Sequence, residues 1–187
     1  MEHLGTKTLE TERLILRKTI DSDVEYMFEN WANDRRVNKY LTWQVYESAQ
    51  QLRDTYHKYL IENQSKKDFY DWKIVLKEIN EPIGSIGVVR LREDTAEVEI
   101  GYCIGFKWWH QGYMTEAFSR VIRFLFEEVG VNRISARHDP NNPHSGDVMK
   151  KCGLRYEGTH RQSGKNNQGI CDESIYAILK EDYLKDK

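Results

Sequence analysis

The sequence predicts a mixed α/β fold in which a central, mostly antiparallel twisted sheet is flanked by helices. Three observations indicate this class. Strand-like runs recur along the chain, two helix-like stretches follow the first of them, and a long helical repeat separates two strands in the second half. That last arrangement requires one crossover, which we expect to be right-handed. Because 187 residues with 39% hydrophobic content bury one substantial core but hardly two, we expect a single domain over residues 1–187.

The first half of the chain predicts one strand, two helices and a meander. Glu12–Thr19 alternates as a strand does, and a helix follows through Trp31, with Ser22 and Glu25 in the positions of a capping box. Glu47–Glu62 places its apolar residues on one helical face. Three strand-like runs, separated by turn-prone residues, come next: DWKIVLKE, PIGSIGVVRL and AEVEIGYCIG. Consecutive strands with short connections pair as an antiparallel meander.

The second half alternates helices and strands. Apolar residues repeat at helical spacing up to Gly130, which supplies the stop, so Gly112 stands at the start of this helix. A strand, a short helix that ends at Gly153 and two further strands follow in the runs VNRISARHD, PHSGDVMKKCG, LRYEGTHR and GICDESIYAILK. We expect the Gly- and Asn-rich Ser163–Gly169 to be a mobile hairpin tip.

The composition argues against several classes of protein. A net charge of −2 is unlike that of a nucleic-acid-binding surface, which depends on clustered Lys and Arg. No apolar run approaches the roughly 18 residues of a membrane span, and the N-terminus has no apolar signal region. The three cysteines are widely separated and lack a C-x-x-C pair, which predicts reduced thiols and no metal site. We therefore expect a soluble cytoplasmic protein, a monomer or homodimer, without nucleic-acid or membrane partners.

Gly112 predicts an anion site at the start of a helix. A glycine lets another group approach the backbone, and the first turn presents unpaired N–H groups with roughly half a positive charge from the helix dipole. That combination favours a phosphate. In the alternative interpretation, Gly112 only makes the turn into the helix while Trp108 and Trp109 pack in the core.

Two stretches together resemble the GNAT superfamily of acyl-CoA-dependent N-acetyltransferases: EIGYCIGFKWWHQGYMTEAF and DPNNPHSGDVMKKCGLRYEG. The chain is most similar to the branch of ribosomal-protein N-terminal-alanine acetyltransferases, the RimJ/RimL type. The likeness spans nearly the whole chain, from TERLILRKTIDSDVEYMF to GICDESIYAIL. Several motifs in the same order make it specific.

The resemblance implies acetyl-CoA as cosubstrate and no metal. The family's pyrophosphate loop, Q/R-x-x-G-x-G/A, corresponds to Trp109–Met114, with Gly112 as the central glycine and Met114 in place of a small residue. In the family, the preceding strand parts from its neighbour and offers backbone groups to the pantetheine arm, and Gly101 favours such a splay here. The implied cofactor-binding residues are Tyr102, Cys103, Ile104, His110, Gln111, Gly112, Tyr113, Met114, Thr115 and Asn142.

Moving an acetyl group from a thioester to an amine requires a base and a proton donor, since an amine is mostly protonated at neutral pH. By resemblance, Glu99 is the general base, acting directly or through water, and Glu97 on the same strand face is its rival. Ser145 is implied as the acid near the CoA sulphur. As an alternative, Ser145 is only a first-turn helix residue behind an Asn142 N-cap and Pro143.

Three functions stay open: acetylation of a protein N-terminus, acetylation of a small amine (aminoglycoside, polyamine or amino acid), and non-catalytic binding of acyl-CoA. We favour the first, because Asp34–Tyr46 and Ser163–Gly169 carry more basic than acidic residues whereas a polycation favours an acidic cleft. Four aromatic residues either line a cleft or pack in a core: Trp31, Tyr40, Trp43 and Tyr46.

Overall fold

One eight-stranded sheet forms the centre of the protein, whose computed structural model describes residues 1–185. The strands are β1 Leu9–Glu10, β2 Leu14–Arg17, β3 Asp71–Leu76, β4 Glu81–Arg92, β5 Glu97–Ile104, β6 Arg133–His138, β7 Arg155–Asn166 and β8 Gly169–Leu179. Their order in the sheet is β1-β2-β3-β4-β5-β6-β8-β7, and all neighbours are antiparallel except β5 and β6, which are parallel. The predicted mixed α/β class with a mostly antiparallel sheet is confirmed.

Helices flank this sheet between the strands. They are α1 Asp23–Met27, α2 Arg35–Asn38, α3 Ala49–Leu52, α4 Lys58–Asn63, α5 Tyr113–Phe124, α6 Pro143–Lys151 and α7 Lys180–Lys185. Three π-helical turns extend α1, join α3 to α4 and extend α5: Phe28–Ala32, Arg53–His57 and Leu125–Val129. The longer predicted helices are therefore present, and the sequence pattern missed the short α2 and the two-residue β1.

The crossover helix α5 connects the two parallel strands. Gly112 and Gly130 bound the helix and its π-helical extension, with φ of 80° and 78°. Glycine tolerates this left-handed backbone without the steric cost of a Cβ, which is why both ends fall where the sequence predicts. Phe118 and Val121 are fully buried against the sheet, so α5 fixes the direction in which its first turn points.

The capping box predicted for α1 is wrong. Ser22 precedes the helix, but its side chain makes no capping hydrogen bond, and Glu25 instead forms an ion pair with Arg53 at 2.6 Å. Asp23, which is 1% exposed, accepts two hydrogen bonds from the Arg17 guanidinium at 2.7 and 2.8 Å. A first-turn carboxylate is also favoured by the helix dipole, so the acidic residue takes the role expected of the serine.

The expected mobile tip at Ser163–Gly169 is also wrong. The β7–β8 ladder continues to the pair Asn166 and Gly169, and the turn between them is docked. The Asn167 side chain donates to the carbonyl oxygens of Asn38 at 2.8 Å and of Trp43 at 2.7 Å. These bonds fix the tip to the segment that follows α2, a contact that spans more than a hundred residues and leaves no local signal.

Across residues 1–185, no helix has the length and apolar character needed to cross a bilayer. In the same part of the chain, no three His, Cys, Asp or Glu side chains are grouped so that they could hold a metal ion. Cys103, Cys152 and Cys171 are free thiols.

Candidate active site

The sheet opens between β5 and β6. The two strands pair at three positions, the last of which is Glu99 with Ser135. Beyond that pair β5 continues against β4 alone to Ile104, and β6 continues against β8 alone. Tyr102 and His138 each lie three residues past the last pair, on facing sides of the gap. We call this gap, between Tyr102 and His138, the strand opening.

The edge of β5 that faces the strand opening carries unpaired backbone groups. The Gly105 N–H donates to the Ile83 carbonyl at 2.9 Å. Hydrogen-bonded and non-hydrogen-bonded pairs alternate along an antiparallel ladder, so the backbone N–H and carbonyl groups of Tyr102 and Ile104 point away from β4. The Ile104 carbonyl accepts from the Trp109 indole at 2.9 Å. The Tyr102 N–H and carbonyl and the Ile104 N–H therefore point into the strand opening, where β6 no longer pairs with β5. Buried backbone groups need partners, so this edge is suited to an extended, amide-containing ligand.

The first turn of α5 presents unpaired N–H groups. Gly112 has no side chain with which to cap the helix, and the Glu116 N–H makes its hydrogen bond to the Gly112 carbonyl at 3.0 Å. The N–H groups of Tyr113, Met114 and Thr115 therefore have no partner inside the helix. Tyr113 and Met114 are 8% and 5% exposed, because their side chains pack in the core. Met114 thus leaves the backbone of this turn accessible to a phosphate.

The first turn of α6 contacts Tyr102 at the strand opening. The Tyr102 hydroxyl donates to the Ser145 carbonyl at 2.8 Å, and Ser145 Oγ lies 3.0 Å from the same phenolic oxygen. Burial raises the pKa of Tyr102, so the phenol stays protonated. Asn142 and Pro143 occupy the predicted N-cap and first-turn positions, but the Asn142 side chain makes no capping hydrogen bond. The predicted capping role of that side chain is wrong.

A cleft of 720 Å³ reaches the strand opening, and its walls contain Glu99, Tyr102 and His138. We call it the aromatic cleft, because it is lined by eight Trp, Tyr and Phe side chains besides Tyr102: Trp31, Tyr40, Trp43, Tyr46, Tyr56, Tyr59, Phe69 and Tyr70. The sequence did not decide whether Trp31, Tyr40, Trp43 and Tyr46 line a cleft or pack in a core. All four line the aromatic cleft. Ligand sites are usually concave and mainly apolar, with a few polar groups placed among the apolar ones.

The sequence matches one family over most of its length. Residues 13–155 fit the model of the acetyltransferase (GNAT) domain. The chain belongs to the GNAT acetyltransferase family. It is therefore an acyltransferase, and the resemblance carried by the strand, the loop and the N-x-x-S stretch is confirmed.

Relatives of this GNAT protein include ribosomal-protein acetyltransferases. YoaA, an uncharacterized N-acetyltransferase of Bacillus subtilis strain 168, is 33% identical over 172 residues, which cover 92% of this chain and 96% of the relative. The ribosomal protein uS5-alanine N-acetyltransferase of Escherichia coli K12 is 39% identical over 59 residues, 32% of this chain and 30% of the relative. The structure of RimL, a ribosomal alpha-N-protein acetyltransferase in complex with coenzyme A, matches with a TM-score of 0.83 at 18% identity over 92% of this chain and 98% of that chain.

The two glutamates of β5 that the sequence offers as candidate bases, Glu97 and Glu99, are both buried. Glu97 has both carboxylate oxygens occupied. Its Oε1 accepts from Arg133 at 3.1 Å and from Ser135 at 3.2 Å, and its Oε2 accepts from Arg92 at 3.3 Å. Both carboxylate oxygens of Glu97 are therefore engaged by hydrogen-bond donors, three in all.

Glu99 differs from its neighbour in how its oxygens are used. Only Oε2 is occupied, by Arg90 at 2.7 Å and Arg137 at 2.6 Å, and within residues 1–185 no partner is found for Oε1. Glu99 is 8% exposed and lines the aromatic cleft. The two guanidinium groups hold the carboxylate in place, and the second oxygen stays available.

The acidic side chains of the aromatic cleft are balanced by cations or amides. Asp71 forms an ion pair with the fully buried Lys73. Glu173 accepts from Arg137 at 3.1 Å, and Asp139 accepts from the side-chain amide of Asn166 at 2.8 Å. Three of the four acidic side chains are thus paired with cations, and within residues 1–185 Asp139 alone of the four keeps an unpaired negative charge, so the cleft is not the strongly acidic site that a polycation favours.

Cys103 lines the aromatic cleft with its side chain. It lies in register with Ser85, so its backbone faces β4, unlike the backbone groups of its neighbours Tyr102 and Ile104. Burial raises the pKa of the Cys103 thiol to about 12. Cys103 is therefore a neutral wall of the cleft, and only its side chain is placed to contact a ligand.

The residues before Gly112 connect the loop to both neighbouring elements. His110 has a φ of 60°, and its ring meets the ring of His144 in α6 edge-on at 4.6 Å. The Gln111 carbonyl accepts from Arg13 Nη1 at 3.1 Å. The predicted phosphate loop is therefore held from two sides.

Arg13 is the residue at this site that sequence reasoning missed. Its Nε donates to Glu116 at 2.6 Å, and its guanidinium stacks on the Tyr113 ring at 4.3 Å. Nη2 lies 3.5 Å from where a Cβ at Gly112 would stand, so a positive charge adjoins the open first turn. The partners of Arg13 lie about a hundred residues away, and no local pattern could have indicated them.

Proposed function

We propose that the protein transfers the acetyl group of acetyl-CoA to the α-amine of a polypeptide N-terminus. Acetyl-CoA supplies the activated acyl group. The unpaired backbone groups of Tyr102 and Ile104 hold its pantetheine arm, and the N–H groups of Tyr113–Thr115, with Arg13 beside them, hold its diphosphate. Asn142, whose side-chain amide has no capping task, is a further contact for the cofactor.

The proposed base is Glu99. Glu99 lines the cleft that ends at the strand opening and its Oε1 has no partner within residues 1–185, so the carboxylate can take a proton from an incoming ammonium group directly or through one water. An α-ammonium has a pKa near 8, so a modest base suffices to produce the neutral amine. Ser145 is proposed to donate a hydrogen bond towards the sulphur once its contact with Tyr102 is exchanged.

The observation that supports an α-amine as acceptor is that the cleft is lined by aromatic side chains and that most of its carboxylates are paired with cations. Aromatic walls suit the apolar and amide surface of a peptide end, whereas a polyamine or aminoglycoside gains most from unpaired carboxylates. The ribosomal-protein acetyltransferases among the relatives act on α-amines, which supports the same choice.

A small-molecule amine is the second candidate acceptor. The tip at Asn167 and the segment that carries Trp43 are joined by hydrogen bonds, which narrows the entrance to the cleft. A volume of 720 Å³ lies in the ordinary range for small-molecule sites, and this observation favours the alternative.

The experiment is an acetylation screen that detects the free thiol of CoA. It offers peptides that begin with Ala or Ser beside spermidine, an aminoglycoside and free amino acids, all at equal concentration. We expect the highest kcat/KM for one of the peptides. Faster turnover of spermidine or the aminoglycoside than of every peptide overturns the choice of acceptor and leaves the acetyl-CoA site intact.

Several coarser expectations remain proposals as well. These are a single domain over residues 1–187, a cytoplasmic location, a monomeric or homodimeric state, and the absence of nucleic-acid, membrane and metal partners. Size-exclusion chromatography with light scattering tests the oligomeric state directly.

A further inference from the structure

His138 has an imidazole nitrogen with no partner. Its Nδ1 lies 2.8 Å from the Asp139 carbonyl oxygen, which only accepts hydrogen bonds, so Nδ1 carries the proton. Nε2 then holds a lone pair in the neutral ring. This atom is buried, and it has no hydrogen-bond partner within residues 1–185. Buried polar atoms without partners are rare and are often found where a ligand or a reaction supplies the missing contact.

The fold places this ring at the strand opening. His138 faces Tyr102 across the gap, and consecutive residues of α6 cover the two side chains: Ser145 contacts Tyr102, and Gly146 covers His138. A Cβ at Gly146 would stand 2.6 Å from His138 Nε2, so only glycine leaves room for the ring. The ring of Tyr176 packs on the imidazole at 5.6 Å.

In the free enzyme the Ser145 hydroxyl is not available to give a proton to the sulphur, because it is hydrogen-bonded to Tyr102. The Tyr102 hydroxyl donates to the Ser145 carbonyl, so its oxygen accepts the Ser145 hydroxyl proton at 3.0 Å. Both protons of this pair are committed to each other, and neither group has a basic partner that could restore a lost proton. His138 Nε2, by contrast, is a buried lone pair at the strand opening with no partner within residues 1–185.

We propose that His138 carries the second proton of the reaction from the amine to the sulphur. Glu99 removes the first proton, which makes the amine neutral. As the new C–N bond forms and the C–S bond breaks, one N–H proton of the amine moves to Nε2 of His138 and from there to the departing sulphur. The imidazole begins and ends neutral, and the proton that Glu99 takes from the ammonium group is released to solvent, so protons and charge balance without any further reactant.

The test compares His138→Gln with the wild-type enzyme. Glutamine keeps a polar side chain of similar length but cannot relay a proton, and general acid–base steps contribute 10²–10⁴-fold, so we expect kcat to fall about 100-fold. The Kd of acetyl-CoA, measured by calorimetry, is expected to stay within about twofold, since the backbone groups of β5 and α5 are untouched. The acceptor is whichever amine the wild-type enzyme turns over best, so failure of the α-amine proposal does not affect this test.

The control is His160→Gln, because His160 is an exposed histidine of β7. It is expected to leave kcat within about twofold of wild type. Gly146→Ala is the second variant, since it keeps the imidazole but pushes it from its place, and we expect a fall in kcat with little change in acetyl-CoA Kd. A kcat within threefold of wild type for both His138→Gln and Gly146→Ala overturns the proposal, as does a loss that lies wholly in acetyl-CoA affinity.

A measurement without turnover provides the second readout. Long-range ¹H–¹⁵N spectra of histidine-labelled protein, assigned with His138→Gln, are expected to show the Nδ1–H tautomer in the free enzyme. Addition of CoA, whose thiol can donate to Nε2, is expected to shift the Nε2 resonance by several ppm. An Nε2 resonance that already carries a proton in the free enzyme, or one that CoA leaves unmoved, contradicts the proposal.

Discussion

The strand opening and the aromatic cleft meet at β5, but the opening presents backbone groups and the cleft presents side chains. The opening offers backbone groups of Tyr102 and Ile104 and the first turn of α5, all within one short stretch of chain. The cleft offers side chains from α1, the segment after α2, the strands β3 to β5 and the last hairpin. A site made of backbone tolerates side-chain change, whereas a site made of side chains changes with each substitution. In the function that we propose, donor binding is therefore the fixed part of the site, and acceptor choice is the adjustable part.

The largest expected effect distinguishes the two glutamates where the regions meet. Glu99→Gln removes the proposed base and is expected to lower kcat about 100-fold, with the KM for acetyl-CoA nearly unchanged. The matched control is Glu97→Gln, whose residue does not line the cleft and whose oxygens are both bound. We expect that variant to lose stability and to keep most of its kcat. Equal kcat for both variants across pH 6–9 removes Glu99 from the mechanism.

The next effect tests the donor side. Gly112→Val puts a β-branched residue at a φ of 80° and disturbs the open first turn, so we expect about a tenfold weaker acetyl-CoA Kd, or about 1.4 kcal/mol of binding free energy. Unfolding free energy should fall by about 1–2 kcal/mol from the left-handed backbone alone.

Gly130→Val is the matched control for that variant. Gly130 has a φ of 78° at the opposite end of the same helical stretch. Apart from its chain neighbours, no residue among 1–185 has a heavy atom within 4 Å of the position that a Cβ at Gly130 would take. It should show the same loss in chemical denaturation and no change in acetyl-CoA Kd. If Gly112→Val lowers stability more than Gly130→Val and leaves the Kd unchanged, Gly112 only makes the turn.

A smaller effect is expected on the acceptor side. Asn167→Ala removes the two hydrogen bonds that the side-chain amide donates and the one that it accepts from Gln44, each worth about 1 kcal/mol in net stability, and it leaves the backbone hydrogen bond to the Leu41 carbonyl. We expect the KM of the best peptide to rise about fivefold while the acetyl-CoA Kd is unchanged. Asn167→Asp is the companion variant, because its carboxylate cannot donate to the two carbonyl oxygens. A rise in acetyl-CoA Kd with either variant would show that the two regions are not independent.

The smallest effect concerns the thiol on the wall between the regions. Because burial raises the pKa of Cys103 to about 12, the thiol stays protonated at pH 8. Brief iodoacetamide treatment at pH 8 should leave turnover unchanged, and mass spectrometry should find the half-buried Cys171 labelled before Cys103. Rapid labelling of Cys103 with loss of activity would mean that the wall is open to solvent.

The same contrast explains how much of the molecule the sequence predicts. The meander and the start of α5 at Gly112 follow from local patterns, because strand alternation, helix spacing and glycine conformation are local properties, whereas the splay of β5 was implied by the resemblance to the family. The contacts of Arg13 with Gln111, of Asn167 with Trp43 and of Glu99 with Arg137 join distant parts of the chain. For that reason the mobile tip and the capping box at Ser22 were wrong, and the composition of the cleft stayed open between alternatives.

The most direct test of the central claim is hydrogen–deuterium exchange of the free enzyme and of the enzyme with acetyl-CoA. The claim is that unpaired amides of the strand opening and of the α5 first turn bind the donor. We predict that the amides of Tyr102, Ile104 and Tyr113–Thr115 become protected when acetyl-CoA is added, while β3 and the last hairpin exchange at unchanged rates. Protection confined to the aromatic cleft, or none at the strand opening with acetyl-CoA bound, would contradict the account.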